Sequence, residues 1–442
     1  MLYIGIDDTD SRKGMCTTYL LTEVIRIVEK HGLSLIGYPR LVRLNPSVPW
    51  KTRGNAALSL AAGLGFGKSR VCGWIEKEIR AWECGRPGNV ESEEEIFEEV
   101  SRLIEKNARF EDENTNPGVV LLRKKPSYRF YIRGVREILS IEEVKRELKR
   151  LGGKWRGYKS GRGIIGAFCS IAWRPFRSTF EILAYRKEEN WGKPREIDEA
   201  SVKEMDRRFR TTFNNYDYEN ARIAIAPHSP CPILFGIRAT APDELVEAMH
   251  TIRAGEEVGR WCIFITNQAT DDHIVRKKIS ECKPGNCVRL HGTVVSKPEV
   301  IKGGHVVFAI EDGTGKIECT IYEPSKTLTT IGRELLPGDE IEVFGAVRET
   351  PRTVNVEKLH IVRAVTIQKK EANPECPSCG KRMKSTGKDA GFVCKRCHTK
   401  KKREEARWVL VERKQLEGWY EPAVCSRRHL SMPLKLLFDS GH

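Results

Sequence analysis

An apolar run, Leu2-Tyr3-Ile4-Gly5-Ile6, ends directly in Asp7-Asp8-Thr9-Asp10-Ser11, and Leu20, Leu21, Val24, Ile25 and Val28 then recur at helical spacing. A chain that opens this way is committed to a strand, an acidic turn and a helix. In an α/β unit ligands bind at the carboxyl ends of strands, so Asp7, Asp8 and Asp10 are placed like the carboxylates of an Mg-nucleotide site. Thr17 and Thr18 fall near the first turn of the helix, whose free amides can receive phosphate. An acidic cap or Asx-turn also fits these residues, but clustering three Asp there is costlier than a cap requires.

At 442 residues the chain has room for three or four domains. Its formal charge is +16 and its pI is near 9.2, so a polyanionic partner, first of all nucleic acid, is expected. The 14 cysteines follow no small-scaffold pattern, nothing at the start reads as a signal peptide, and no apolar run is long enough to span a bilayer. A reduced, cytoplasmic protein with no membrane partner is expected.

The pattern predicts a multidomain α+β chain. Residues 1–116 read as an α/β unit, with extended runs at 35–38 and 41–44 and a charged amphipathic helix at 96–104. Residues 117–275 read as a second unit, compatible with a ferredoxin-like topology, with a helix at 141–151, strands at 180–185, 223–226, 233–236 and 261–266, and a helix at 243–252. Between 284 and 365, strands at 288–294, 306–310, 317–322, 340–347 and 354–361 alternate with Gly- and Pro-rich turns, and a short helix near 326–335 follows the third strand. This is the plan of an OB-fold β-barrel, which binds single-stranded or looped nucleic acid, although a purely structural barrel has the same pattern.

Cys376-x-x-Cys379 and Cys394-x-x-Cys397 make two knuckles a hairpin apart. Four thiolates at this spacing close a tetrahedral Zn²⁺ site, so 371–403 reads as a zinc ribbon; a redox dithiol fits two knuckles less well. Lys400 and Lys401 belong to a basic run beside it that suits phosphate contacts or a solvated helix face, and 404–442 reads as a basic C-terminal tail.

Other motifs are weaker. Gly63-Leu64-Gly65-Phe66-Gly67-Lys68-Ser69 nearly spells a phosphate loop, but Ala62 stands where its first glycine belongs. Gly161, Gly163 and Gly166 fit a dinucleotide fingerprint without a clear apolar strand before it, and read as a loop abutting substrate. Lys51, Arg53 and Asn55, in a polar loop, suit a phosphate clamp opposite the aspartates, though an ordinary basic loop also fits. The polar cluster 266–273 would line the same cleft. Cys72 and Cys84 lack partner knuckles and read as core thiols.

Taken together, Gly5 to Ser11, Gly14 to Leu20, Lys51 to Asn55, Gly161-Arg162-Gly163, Thr266 to Asp271, the two knuckles and Arg427-Arg428-His429-Leu430 resemble the archaeal 2-agmatinylcytidine synthetase family, which modifies the wobble cytidine of the AUA-decoding isoleucine tRNA. The resemblance spans essentially the whole chain. It implies a kinase-like domain, a ferredoxin-like domain, an OB-fold and a zinc ribbon, the last two gripping tRNA, with ATP, Mg²⁺, structural Zn²⁺ and agmatine as the other partners. It also implies the reaction: ATP-dependent phosphorylation of the C2 oxygen of cytidine, then displacement of phosphate by agmatine. In that reading Asp7, Asp8 and Asp10 hold Mg²⁺, Thr18 matches the family's phosphate-accepting threonine, and Lys51, Arg53 and Asn55 face phosphate. Asp206, Asp217 and Asp271 are the expected carboxylates for agmatine, although an Asp beside Arg207 and Arg208 also suits an exposed ion pair. Lys400, Lys401, Arg427 and Arg428 are the expected tRNA contacts. The rival readings are a nucleic-acid-binding module without catalysis, against which the acidic cluster argues, and an RNA kinase that releases phosphorylated product.

Overall fold

The structure, a computed structural model, describes residues 1–88, 92–387 and 390–439. Residues 388–389 of the expected ribbon, 440–442 of the expected tail and 89–91, within the stretch without an expected role, lie outside them.

The first half runs β1 (Leu2–Asp7), α1 (Thr17–Lys30), β2 (Ser34–Ile36), β3 (Arg40–Arg43), β4 (Ala56–Ile75), β5 (Lys77–Arg86), α2 (Glu93–Asn107), β6 (Gly118–Leu122), α3 (Tyr128–Arg136), α4 (Ile141–Arg150), β7 (Lys154–Gly157) and α5 (Gly163–Ala172). It continues through β8 (Thr179–Tyr185), α6 (Glu199–Arg208), β9 (Thr212–Phe213), a small hairpin of β10 (Tyr216–Asp217) and β11 (Arg222–Ile223), β12 (Ile233–Ala239), α7 (Leu245–Thr251) and β13 (Arg260–Thr266). Apart from the hairpin, these strands join one 11-stranded sheet, along the path β7-β6-β1-β4-β3-β13-β8-β12-β9 with β2 and β5 beside β4. The sequence places a division at 116/117, but the sheet runs through it, because β6 pairs antiparallel with β1 and β7 with β6. The two units meet where β13 pairs parallel with β3.

Alternation along β1 decides which side chain goes where. Leu2, Ile4 and Ile6 point into a core shared with Leu20, Leu21, Val24 and Ile25 of α1 and Ile96, Val100 and Ile104 of α2. Tyr3 and Gly5 face the other side, against α5. Asp7 follows in that register, beneath α5. A second core, with Ile182, Phe235, Ile237 and Ile263 from the sheet and Met205, Leu245 and Met249 from α6 and α7, fills the far half.

The near-phosphate loop 63–69 is the middle of β4, paired with β5, so its glycines serve a strand rather than a phosphate cradle. Gly65 leaves room for Trp82, whose ring would stand 2.5 Å from a Cβ there. Cys72 is buried as expected; Cys84 is exposed on β5, contrary to the core reading, because it faces outward in the ribbon opposite Phe66.

From Ile274 a barrel forms: β14 (Ile274–Arg276), β15 (Cys287–Val294), β16 (Glu299–Val300), β17 (Val306–Glu311), β18 (Lys316–Ile321), α8 (Thr327–Glu334), β19 (Glu340–Val347) and β20 (Thr353–Arg363). β15 pairs with both β17 and β19, β19 with β20 and β20 with β18, so the OB-fold closes on itself around Val288, Leu290, Phe308, Ile310, Val343 and Leu359. The ribbon follows, with β21 (Ile367–Ala372), β22 (Lys384–Ser385), β23 (Phe392–Val393), β24 (Lys400–Lys401) and β25 (Arg407–Val411). Lys400 and Lys401 are thus on a strand rather than a helix face.

The segment after the ribbon is not a free tail. β26 (Gly418–Tyr420) pairs with β20, and the chain then turns back into the junction of barrel and sheet. There Lys358, His273 and Glu357 are buried and each has a partner: Lys358 Nζ donates to Asp271 Oδ2 at 2.7 Å, His273 Nε2 lies 2.8 Å from Glu357 Oε1, and Arg428 Nε lies 3.1 Å from Glu357 Oε2. Burial would raise the Glu357 carboxyl, but His273 and Arg428 outweigh it and hold it at about 2.

Candidate active site

Asp7 ends β1, Asp8 follows in a left-handed backbone conformation (φ 58°), and the turn exposes both carboxylates to a cavity of about 460 Å³. Asp7 Oδ1 accepts from the Asp8 amide and Asp8 Oδ2 from the Asn116 amide, each at 2.8 Å. Burial, with Asp8 beside it, raises the Asp7 carboxyl well above its ordinary range. Burial also pushes Asp8 up to about 7, with Asp10 and Asp112 adding to it against the Asn116 amide. Two adjacent half-buried carboxylates that resist ionisation are oxygen ligands of a kind that suits a hard divalent ion such as Mg²⁺, whose charge would favour their ionised form.

The helix above them comes unusually close. A Cβ on Gly166 would stand 1.8 Å from Asp7 Oδ2, and one on Gly5 would stand 2.3 Å from the Ala167 carbonyl oxygen. The expected substrate loop at 161–166 is therefore the start of α5, whose glycines bring a helix N-terminus against the aspartates. Gly166→Ala is expected to displace Asp7, costing about 1–3 kcal/mol of stability as an overpacked contact. Denaturant unfolding of the variant, read beside its activity, checks this, since activity should fall by more than stability alone explains.

Opposite the aspartates stands the 51–55 loop. Arg53 clamps Asp10 through Nε and Nη2, and also donates from Nη1 to Ser229 Oγ at 2.8 Å and from Nη2 to the Met15 carbonyl at 2.6 Å. Thr52 Oγ1 donates to Asp10 Oδ1 at 3.2 Å. Lys51 donates to the Pro46 carbonyl, and Asn55 Nδ2 donates to the Asn45 carbonyl at 2.7 Å; both line the cavity. Burial, with Arg428 nearby, lowers the Lys51 ammonium. Trp50 lies under the Arg162 guanidinium, 3.8 Å from ring centre to Cζ. Thr18, buried in the first turn of α1, faces the same cavity with its Oγ1 3.0 Å from Cys16 Sγ.

Sequence reasoning missed the inner wall. Glu181 and Arg238 are opposite one another on β8 and β12, with Arg238 Nε 3.1 Å from Glu181 Oε1, while Gln268 Nε2 donates to Glu181 Oε2 at 2.6 Å. Arg43 ends β3 beside them, and burial lowers its guanidinium to about 10. Glu137 and His429 also line the cavity. The available signal was the position of charged residues in otherwise apolar strands. The 266–273 cluster serves this wall from behind: Asn267 accepts from the Arg43 amide at 2.7 Å and donates to the Arg43 carbonyl at 2.9 Å.

The three carboxylates expected to face agmatine do not line the cavity. Asp206 accepts from Asn215 and the Tyr218 hydroxyl, Asp217 from the Cys425 amide, and Asp271 from Lys358 and the Met432 amide. The last two anchor the C-terminal segment, a role that distant sequence positions do not reveal. Arg427 and Arg428, expected as tRNA contacts, line the cavity, Arg427 paired with Glu421 at 2.7 Å and bonded to Asn214 at 2.7 Å. In the ribbon, Lys400 is exposed and Lys401 pairs with Glu405 at 3.5 Å. The ligand atoms of Cys376, Cys379, Cys394 and Cys397 all lie within 4.8 Å of one another, the arrangement of a closed zinc site.

The chain is 42% identical over 446 residues to the isoleucine tRNA 2-agmatinylcytidine synthetase TiaS of Methanocaldococcus jannaschii, covering 99% of each chain. The chain belongs to the tRNA 2-agmatinylcytidine synthetase family. The Pyrococcus horikoshii synthetase is 39% identical, with 99% of this chain and 97% of that one covered. Residues 3–160 match the family's TCKD domain, 161–273 its FLD domain, 288–362 the OB-fold nucleic acid binding domain and 373–414 its C-terminal zinc ribbon domain. Among solved structures, a complex of TiaS with its isoleucine tRNA and ATP superposes with a TM-score of 0.82 at 36% identity, covering 98% of this chain and 96% of that one. A complex of TiaS with the same tRNA, AMPCPP and agmatine superposes with a TM-score of 0.79 at 34% identity, with the same coverage. Among the described residues, no helix of this synthetase-family chain is long and apolar enough to cross a membrane.

Proposed function

We infer that this protein is an ATP-dependent ligase that joins agmatine to C2 of the wobble cytidine in the AUA-decoding isoleucine tRNA, acting in the cytoplasm. The observation that carries the reading is one cavity holding the acidic turn, two helix N-termini and a cationic loop, in a chain matched over its length by synthetases solved with their isoleucine tRNA, ATP and agmatine.

The C2 oxygen of cytidine is a poor leaving group. Its attack on a phosphorus of ATP forms an O–P bond as the bond to the rest of the nucleotide breaks. The agmatine nitrogen then bonds to C2, phosphate departs with the electron pair of the C2–O bond, and the amine gives up a proton to solvent. Asp7, Asp8 and Asp10 would hold Mg²⁺, which supplies charge neutralisation for the triphosphate. The amides at the starts of α1 and α5 receive phosphate oxygens, and Lys51, Arg53 and Asn55 face them from the opposite loop. Arg53, already bonded to Asp10, fixes that carboxylate's direction. Thr18, with its hydroxyl in the same cavity, is the phosphate-accepting threonine. With Asp206, Asp217 and Asp271 turned away from the cavity, Glu137 is the cavity carboxylate, outside the acidic turn and not paired with Arg238, that suits one of agmatine's cations. Lys400 and Lys401 present charge to the tRNA backbone from a zinc-stapled hairpin.

Incubation with radiolabelled agmatine, ATP and an isoleucine tRNA transcript tests this. Label is expected to enter the tRNA only with ATP, and not to enter a transcript carrying uridine at the wobble position. Labelling independent of that base would refute the assignment.

A further inference from the structure

The four family matches end at residue 414, yet the segment beyond them reaches the cavity. It is fixed there through its backbone. The Ala269 and Asp271 amides donate to the carbonyls of His429 and Leu430, each at 2.9 Å, the Met432 amide donates to Asp271 Oδ1 at 2.8 Å, and Leu430 is buried with Val42 and Trp173. His429 is thereby held in a set position although it lies far along the chain from every other cavity residue outside its own segment.

Its ring is surrounded by protein yet keeps an exposed face, and that face opens into the cavity. Neither ring nitrogen has a hydrogen-bond partner among the described residues. A Cβ on Gly54 would stand 2.6 Å from Arg43 Nη1 and 3.6 Å from His429 Nε2, so the absence of a side chain at 54 lets the guanidinium and the imidazole share one spot. Arg238 is the other cation near the ring, but Glu181 already pairs with it. Arg43 has no carboxylate partner among the described residues, and its buried Nε is unbonded.

The Arg43 guanidinium, with no carboxylate to offset it, repels a cationic amine, so agmatine is a poor occupant of this spot. An oxygen that acquires a phosphoryl group suits it. We propose that His429 touches the reacting atoms: its imidazole hydrogen-bonds the C2 oxygen of the target pyrimidine, and Arg43 offsets the charge on that oxygen once it is phosphorylated. This rests on the reaction inferred above. The adjacent Arg43, then burial and Arg238, hold the ring well below its ordinary titration range, so it offers one N–H and one acceptor and does not store a proton. A neutral imidazole polarising a carbonyl is an established way to activate one.

The test compares His429→Ala and His429→Asn with the natural protein in single-turnover formation of the agmatine-bearing nucleoside, beside tRNA affinity and zinc content. His429→Ala is expected to lower the rate about 100-fold, as loss of a donor to a charged oxygen does. Its tRNA affinity should stay within about twofold, because the lost contact matters after binding. His429→Asn, which keeps an N–H donor, is expected to recover about tenfold of the loss, with a pH–rate profile of unchanged shape. An unimpaired His429→Ala variant would overturn the proposal, as would a fall in tRNA affinity equal to the fall in rate. A titration present in the natural protein and absent from His429→Asn would also overturn it, since the ring would then be acting as a base. If the natural protein forms no agmatine-bearing nucleoside while it binds tRNA, the reaction reading itself fails and takes this proposal with it.

Discussion

Asp8→Asn is expected to lower agmatine transfer by about 1,000-fold or more, since removing one carboxylate from a metal-binding set forfeits about 4 kcal/mol or more of transition-state stabilisation. Its tRNA affinity should remain within about twofold, because the acidic turn opposes rather than assists phosphate binding unless a cation intervenes. A filter-binding curve measured beside the rate checks both halves; parallel losses of affinity and rate would show that the turn is part of the tRNA surface. The same residue gives a pH signature. Its carboxyl sits at about 7 when folded, against an unperturbed 3.8. The folded state therefore holds a proton over that interval that the unfolded chain has released. Asp8's contribution to stability is complete below about pH 4 and is lost as pH rises through 7. A divalent cation binds the ionised form and reverses the loss, so Mg²⁺ should raise Tm more at pH 8 than at pH 6. In Asp8→Asn that difference should shrink sharply. Equal Mg²⁺ shifts at both pH values would contradict a metal held by this carboxylate.

Cys379→Ser is expected to have the second largest effect, on binding. The ribbon's hydrophobic core is small, with Met383, Phe392 and Ala406 the buried residues beside Cys376 and Cys394. Such a unit folds on its metal, whose binding supplies about 10–16 kcal/mol in comparable sites. With one thiolate gone, β22, β23 and β24 should lose their order, and Lys400 and Lys401 their fixed placement. tRNA affinity is expected to fall at least about tenfold, with a shallower salt dependence as phosphate contacts disappear. The OB-fold and the large sheet have separate cores, so their unfolding transition should be unmoved. Zinc content, the main thermal transition and tRNA affinity measured on one preparation separate these outcomes. Unchanged affinity in zinc-free protein would remove the ribbon from the tRNA surface.

Much of this architecture is legible from the residues. The five expected barrel strands fall where alternation and glycine turns place them, each end within two residues, because a half-buried strand between tight turns leaves a strong period-two signal, while the short β14 and β16 leave none. The knuckles mark their own site, and the acidic strand end marks the cavity. What was not legible depends on distant pairing. Glycines at 63, 65 and 67 disguise β4 as a loop, since Gly63 makes room for Arg86 and Met1, Gly65 for the Trp82 ring, and Gly67 takes a positive φ at an irregularity in the β4–β5 pairing. Nothing local tells that β6 will pair with β1 and carry the sheet past residue 116. Asp217 and Asp271 look like free carboxylates until the C-terminal segment is seen bonded to them. His429, Arg43, Glu181 and Arg238 meet only in three dimensions. Gly166 was half legible: alternation along β1 already places Asp7 on the Gly5 face, where a helix must lie very close.

Whether one cavity joins ATP, agmatine and a single tRNA base is decided by mass spectrometry of the wobble nucleoside. The protein, loaded with zinc, is incubated with Mg²⁺, ATP and an unmodified AUA-decoding isoleucine tRNA transcript, with and without agmatine. That cytidine is expected to convert to its 2-agmatinyl form only when ATP and agmatine are both present. Cytidine left unchanged by folded protein that binds the transcript tightly would contradict it and leave a nucleic-acid-binding module in its place.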